Sequence, residues 1–358
     1  MSIKKICIVT TSLGKGGAER FSAILSQIIS GLGYDVHILT TKNKVHYQFS
    51  GELFNLEVRL GRNKSNFKKI IVLKSYFKQH NFDIIIDNRT RPKFLKEFII
   101  YNYVFKADKI ISIVHSYYLQ KYLPRSVFLA QILYRNTNIV AVSKEIQNVL
   151  KIKYKFNDCE QIYNPANVKN IARKANEAVL IDDKYILFYG RIEEHVKNLT
   201  LALNAYKVSL LPKKGFKFYI IGDGSDVSLL LKTVKELQLE PYVKHLPYME
   251  NPFPYVKKAF FTTLTSRYEG FPMVLIESLS CGTPVVSVNC KSGPNEVVQN
   301  EYNGLLVENH DIFVLANAFD RMVLDEALYA SCRRNAKQSV LRFSIENISK
   351  KWEELLKK

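Results

Sequence analysis

The 358-residue sequence has no run of 18 apolar residues, so no membrane-spanning helix is expected. Its first ten residues run straight into a strand pattern and lack the order of a signal peptide. Cysteine is scarce and scattered: Cys7, Cys159, Cys281, Cys290 and Cys332. The count is odd and no Cys-x-x-Cys occurs, which argues against a disulfide framework and for reduced thiols in a cytosolic protein. Acidic residues are scarce in the first half. Residues 1–165 hold 26 Lys and Arg against 11 Asp and Glu, whereas residues 166–358 hold 26 against 22, so +15 of the net +19 lies in the first half. Such asymmetry suits an anionic partner, either nucleic acid or an anionic membrane face, with plain solubility as the bland alternative. No helix-turn-helix, zinc-ligand or RNA-recognition motif accompanies the charge, so a nucleic-acid-binding protein rests on charge alone.

What is present is ordinary for a soluble globular chain, with 47% hydrophobic and 24% charged residues. The length calls for two domains. Strand and helix patterns alternate twice, with a break near residues 165–180, which implies two Rossmann-like α/β domains of parallel strands. Domains are expected at 1–165 and 166–342, followed by a C-terminal helix in 343–358 that Trp352 could pin to the first domain. The first βα turn, Ser12-Leu-Gly-Lys-Gly-Gly-Ala-Glu19, is glycine-rich. It lacks the third glycine of the dinucleotide fingerprint, and no acidic residue ends the second strand, so a dehydrogenase is disfavoured. Residues 43–65 read as loop with some strand. Strands are expected at Phe82–Ile86, Ile110–Val114, Tyr185–Tyr189, Val243–Leu246 and Gly304–Val307.

The most informative stretch runs from Arg267 to Asn295. A buried strand, Phe260–Leu264, leads into a loop with Glu269 and Gly270. Pro272 suits the first turn of a helix that runs to about Cys281 and stops at Gly282. The amides around Phe271 and Met273 then lie at a helix N-terminus, where free N–H groups and the positive dipole end attract an anion. Glu269 stands beside them. Glu277 is a charge within an apolar helix. A carboxylate near a phosphate site accepts hydrogen bonds from sugar hydroxyls. The bland reading is a buried helix whose glutamates only cap or pair.

Glu269 and Glu277, with seven residues between them in Glu-Gly-Phe-Pro…Glu-Ser-Leu-Ser-Cys-Gly-Thr-Pro-Val-Val, resemble the signature of glycosyltransferase family 4. The resemblance spans nearly the whole chain, with its specific motifs between residues 190 and 300. It implies the GT-B fold: two Rossmann-like domains facing across a cleft, with a C-terminal helix crossing back. It also implies a retaining transferase of the bacterial surface-glycan type, using a nucleotide sugar. A UDP-sugar is the expected donor, with a GDP-sugar as the alternative. The acceptor would be a glycan or lipid-linked glycan, and the transfer front-face. Carried over residue by residue, Arg191 and Lys197 clamp the donor diphosphate, matching an Arg fork and a Lys point charge. Gly16 and Gly17 match the loop opposite that diphosphate. Glu269 holds the donor sugar, Glu277 the ribose, and Pro247 and Tyr248 lie where backbone reads the base. No Asp-x-Asp stands in a suitable loop, so neither a metal nor a cofactor is expected. One departure is Ser292-Gly-Pro-Asn-Glu296, where many relatives carry two glycines before the proline.

Two features keep two readings each. His115 ends a strand and loosely matches a family histidine near the reacting sugar carbon; a lone histidine is otherwise an ordinary polar residue. From Pro92 to Tyr134, Phe94, Phe98, Tyr101, Tyr103, Phe105, Tyr117, Tyr118, Tyr122 and Phe128 interleave with Lys93, Lys96, Lys106, Lys109, Lys121 and Arg125. Such a run either anchors at an anionic membrane surface or packs on the first sheet. With the first option, the protein would sit peripherally on the inner face of the cell membrane. A non-catalytic relative acting as partner subunit is the remaining alternative, and the intact set Arg191, Lys197, Glu269 and Glu277 speaks against it.

Overall fold

The structure, a computed structural model, describes residues 3–14, 16–61, 65–308 and 311–358. The chain forms two compact units, one of residues 1–165 with 345–358 and one of residues 166–344.

The first unit is built on strands β1 (Lys5–Thr10), β2 (Asp35–Thr40), β3 (Glu52–Asn55), β4 (Ile84–Asp87), β5 (Lys109–Val114), β6 (Asn138–Ala141) and β7 (Glu160–Gln161). They form one sheet in the order β3-β2-β1-β4-β5-β6-β7, every pairing parallel. Ile6, Ile8, Ile85, Ile86, Ile111 and Ile113 are all fully buried. That is the signature of a sheet covered on both faces, and it explains why these strands read as continuous apolar runs. The order reverses between β1 and β4, so the loops after those strands diverge and leave a crevice at their C-terminal ends. Residues 43–61 contribute β3 and a short helix, Leu56–Leu60, that the loop reading did not anticipate. Residues 62–64 of that stretch lie outside the described residues.

The aromatic and basic run divides. Tyr101, Phe105, Tyr122 and Tyr134 pack into the core, whereas Leu95, Tyr103 and Phe128 are exposed. Lys109 is half-buried, and its Nζ donates to the Leu355 carbonyl at 2.5 Å. The helix Ile345–Lys357 belongs to this unit, burying Ile348, Trp352, Leu355 and Leu356. The Trp352 ring lies 6.2 Å from that of Phe21 on the first helix, Gly17–Gly31.

The second unit holds β8 (Tyr185–Tyr189), β9 (Lys217–Ile221), β10 (Val243–Leu246), β11 (Thr262–Leu264), β12 (Val285–Val288) and β13 (Gly304–Val307). They pair in parallel in the order β10-β9-β8-β11-β12-β13, with the reversal between β8 and β11. A helix, Val168–Lys174, fills much of the region read as a break. Residues 343 and 344 fall in this unit, two positions beyond the expected boundary. The helix between β11 and β12 spans Met273–Ser280. Pro272 precedes it as the cap, at ψ 89°, and is not in its first turn. Gly282 at φ +85° follows its end, a left-handed position that glycine adopts without Cβ strain.

Candidate active site

In the first unit, Gly16, Asn88 and His115 follow β1, β4 and β5, the strands around the reversal. Gly16 caps the first helix, and a Cβ there would lie 2.0 Å from Glu19 Oε2. The Glu19 carboxylate therefore lies over the positive end of its own helix. Gly17 has no atom within 4 Å of an added Cβ, and the atoms nearest one at Gly16 belong to the movable Glu19 side chain, so no rigid neighbour demands either glycine. Asn88 Nδ2 donates to the Ala18 carbonyl at 2.8 Å and to Ser22 Oγ at 2.6 Å. Its Oδ1 meets His115 Nε2 in a short hydrogen bond. The Phe21 ring stands edge-on to the imidazole at 4.7 Å. Burial, helped by the charge of Arg91, pushes the His115 pKa down to about 3. His115 is thus a neutral side chain throughout the physiological range.

Beneath these loops lies a buried ionic cluster that the sequence reading missed. Arg89 grips Asp87 with two bonds of 2.9 and 2.8 Å and reaches Glu97 at 2.9 Å. Arg91 donates to the carbonyls of Asp87, Arg89 and Ile113 and to the Tyr134 hydroxyl. The Tyr101 hydroxyl completes Asp87 at 2.9 Å. Burial alone would raise the Asp87 pKa, but Arg89 and Arg91 outweigh it and hold the carboxyl below its ordinary value. With two cations and two carboxylates, the cluster fixes the β4 loop that carries Asn88.

In the second unit, the turns after β8 and β9 touch. A Cβ on Gly222, at φ +148°, would lie 1.9 Å from the Gly190 carbonyl oxygen, so only glycine fits there. Arg191 follows Gly190; its side chain is exposed and pairs with Glu193 at 3.1 Å. Lys197 ends the short helix Glu194–Lys197, and its Nζ lies 2.7 Å from Glu269 Oε1. Ser266 Oγ donates to the same oxygen at 2.6 Å. The segments are stitched by Arg267 N to Val196 O at 2.7 Å and Thr265 Oγ1 to Lys197 O at 3.0 Å. The structure thus joins two residues that the sequence reading gave separate ligands. Both are mostly buried, but an ammonium has three donors, so Lys197 can keep Glu269 and still meet an anion.

The departure at Ser292 has a physical account. Glu269 N donates to Lys291 O at 2.7 Å, and Ser292 Oγ donates to Gly270 O at 3.0 Å. Gly293 sits at φ +99°, where a Cβ would meet Pro272 Cδ at 2.6 Å. The serine and one glycine therefore lock the 291–293 turn onto the Glu269 loop. Phe271 is buried against Phe343, while Met273 is half-buried at the start of its helix. Glu277 is 5% exposed on that helix, and the Tyr189 hydroxyl ties the helix to β8 through Val274 O at 2.6 Å. Pro247 and Tyr248 are exposed after β10, with Tyr248 N donating to Asp223 Oδ2 at 3.2 Å. Arg191, Lys197, Glu269 and Tyr248 thus all follow C-terminal strand ends of one sheet. Ser266 and Asn88 escaped the sequence reading. Ser266 had a local signal, three residues before Glu269; Asn88 had none beyond ending a strand.

Residues 170–339 match the family model described as Glycosyl transferases group 1. The chain is 29% identical over 374 residues to the N-acetylgalactosamine-N,N'-diacetylbacillosaminyl-diphospho-undecaprenol 4-alpha-N-acetylgalactosaminyltransferase of Campylobacter jejuni, covering 97% of this chain and 98% of that one. Among solved structures it is similar to a TarM variant of S. aureus, crystallised with fondaparinux, alpha-GlcNAc-glycerol and UDP. That match has a TM-score of 0.82 and 15% identity over 99% of this chain and all of the other. Anabaena HepE in complex with UDP matches with a TM-score of 0.77 and 19% identity, covering 99% of each chain. The matched second unit, the full-length relative and the shared fold together support a glycosyltransferase of the GT-B fold.

Proposed function

We propose that the chain is a retaining, family 4 type glycosyltransferase that moves a sugar from UDP to a glycan or lipid-linked acceptor in bacterial surface-glycan synthesis. The observation that carries this reading is the Lys197–Glu269 pair, set beside Arg191 at neighbouring strand ends of the second sheet. As the glycosidic bond breaks, the nucleoside diphosphate gains charge. Arg191, Lys197 and the amides at Phe271 and Met273 stabilise that charge, so no metal is needed and the nucleotide sugar is the only co-substrate. Glu269 accepts from donor-sugar hydroxyls, Glu277 from the ribose, and the Pro247–Tyr248 backbone meets the base. In the first unit, Gly16 and Gly17 allow close backbone approach, and His115 accepts from a sugar hydroxyl. Uracil is supported by the relatives crystallised with UDP. The test is release of nucleoside diphosphate from a panel of nucleotide sugars, with and without chelator, and product anomers read by NMR. Chelator-resistant turnover of a UDP-sugar with retained configuration is expected; inversion or dependence on a divalent metal would overturn the respective part.

A peripheral membrane contact at the inner face of the cell membrane belongs to the same proposal. It is supported by Phe67 and Ile71 on the helix Asn66–His80, Leu95 and Ile99 on the helix Phe94–Ile99, and Tyr103 and Phe128, all exposed. Exposed Lys74, Lys78, Lys93, Lys96 and Lys106 stand among them. Apolar side chains at helical spacing with cations between them fit an anionic bilayer surface, where a lipid-linked acceptor would be found.

A further inference from the structure

The hydrogen bonds around Asn88 leave one arrangement of protons. The Ala18 carbonyl can only accept, so the Asn88 atom 2.8 Å from it must be the amide nitrogen. Ser22 spends its own proton on Ala18 O at 3.2 Å, so it accepts from the same nitrogen. Both Asn88 amide protons are then used, and Oδ1 is the atom facing His115. An amide oxygen only accepts, so His115 Nε2 must carry a proton. We propose that Asn88 is a positioning residue that locks His115 as the Nε2–H tautomer and leaves Nδ1 as its lone-pair nitrogen. His115 then offers substrate an acceptor and not an acid. Its surroundings reinforce neutrality, because burial and the charge of Arg91 both oppose protonation. The backbone carbonyl of Ala18 in the first helix and the hydroxyl proton of Ser22 thus set the chemistry of a side chain about a hundred residues away in the chain.

The functional consequence rests on the proposed contact between His115 and substrate; the lock itself does not. The test is nitrogen-15 NMR of the full-length protein with labelled histidine, between pH 5 and 8. The expected result is a neutral His115 with Nε2 protonated at every pH. A neutral ring protonated at Nδ1, with Nε2 bare, would overturn the lock without any variant. Asn88→Ala should give a mixture of both tautomers, and an unchanged single tautomer would show that Asn88 is not the cause. Asn88→Asp places a carboxylate beside the ring and should bring an imidazolium titration into the observed range, adding a limb to the pH profile of donor hydrolysis. Asn88→Ala should also lower turnover on the order of tenfold, with little change in donor KM. The correct tautomer in a protein that hydrolyses no nucleotide sugar would defeat the proposed function and leave the lock standing.

Discussion

At the scale of single residues, Lys197 and Glu269 are a cation and a carboxylate that already hold each other. Lys197→Ala and Glu269→Gln should each lower transfer tenfold or more, because a charge-assisted contact is worth roughly 1.5–3 kcal/mol. Steady-state kinetics of both single variants and the double variant would check this. If the double variant recovers the wild-type rate, the pair is only structural. Glu277→Gln should instead weaken nucleotide affinity more than turnover, since the ribose is unchanged in the transition state. Two groups whose pKa values are depressed, the part-buried His115 and the buried Asp87, set the response to acid. The His115 pKa in the folded protein, about 3, lies below its unfolded value of about 6.5. The unfolded chain binds the proton more readily, so this contribution is present above pH 6.5 and is lost as pH falls toward 3. Asp87, also held below its ordinary value, adds a loss at lower pH, as it becomes protonated. Urea midpoints should therefore fall between pH 7 and pH 4.5, and His115→Gln should flatten that slope; an equal slope in the variant would contradict the assignment. Arg191 and Lys197 are expected from one stretch and Glu269 and Glu277 from another; the structure brings Lys197 and Glu269 together at 2.7 Å, a pairing that neither stretch announces by itself. Asn88 was not legible in the sequence, because its meaning lies in bonds to Ala18 and Ser22, 70 and 66 residues away.

At the scale of elements, the two sheets were readable where strands are buried on both faces. Tyr185–Tyr189, Val243–Leu246 and Gly304–Val307 coincide with the expected strands. The two-residue β7 and the helix Leu56–Leu60 carry too few residues for any period to show. Pro272 was placed one step too far into its helix. It stands at ψ 89°, outside the helical region, and the helix begins at Met273. The turn at Gly293 makes a sharp prediction. Gly293→Ala combines a left-handed φ with a Cβ 2.6 Å from Pro272 Cδ. It should cost more than about 1 kcal/mol and displace the Glu269 loop, with activity falling further than thermal stability explains. Equal activity at unchanged stability would contradict the role of that turn. The C-terminal helix is held by Trp352, which is fully buried. Trp352→Ala should destabilise the first unit by about 3–5 kcal/mol, measured by denaturant unfolding, whereas Trp352→Phe should be far milder.

At the scale of the molecule, the uneven charge was legible and its purpose was not, because composition does not say which lysines face outward. Tyr101, Phe105, Tyr122 and Tyr134 of the aromatic run are core, and Lys109 holds the last helix. The surface that remains, with Phe67, Leu95 and Phe128 among exposed lysines, should bind anionic liposomes at low salt and release them at high salt. Glutamate at Lys93, Lys96 and Lys106 together should abolish sedimentation with such liposomes and leave donor hydrolysis intact. Indifference of the wild type to anionic lipid at low salt would point to a soluble acceptor. Binding of a nucleoside diphosphate by the second unit through Arg191 and Lys197 is read out by calorimetric titration of the protein with UDP. The account predicts saturable binding that Arg191→Ala and Lys197→Ala each weaken about tenfold or more. Absence of binding, or binding unchanged in both variants, would contradict it.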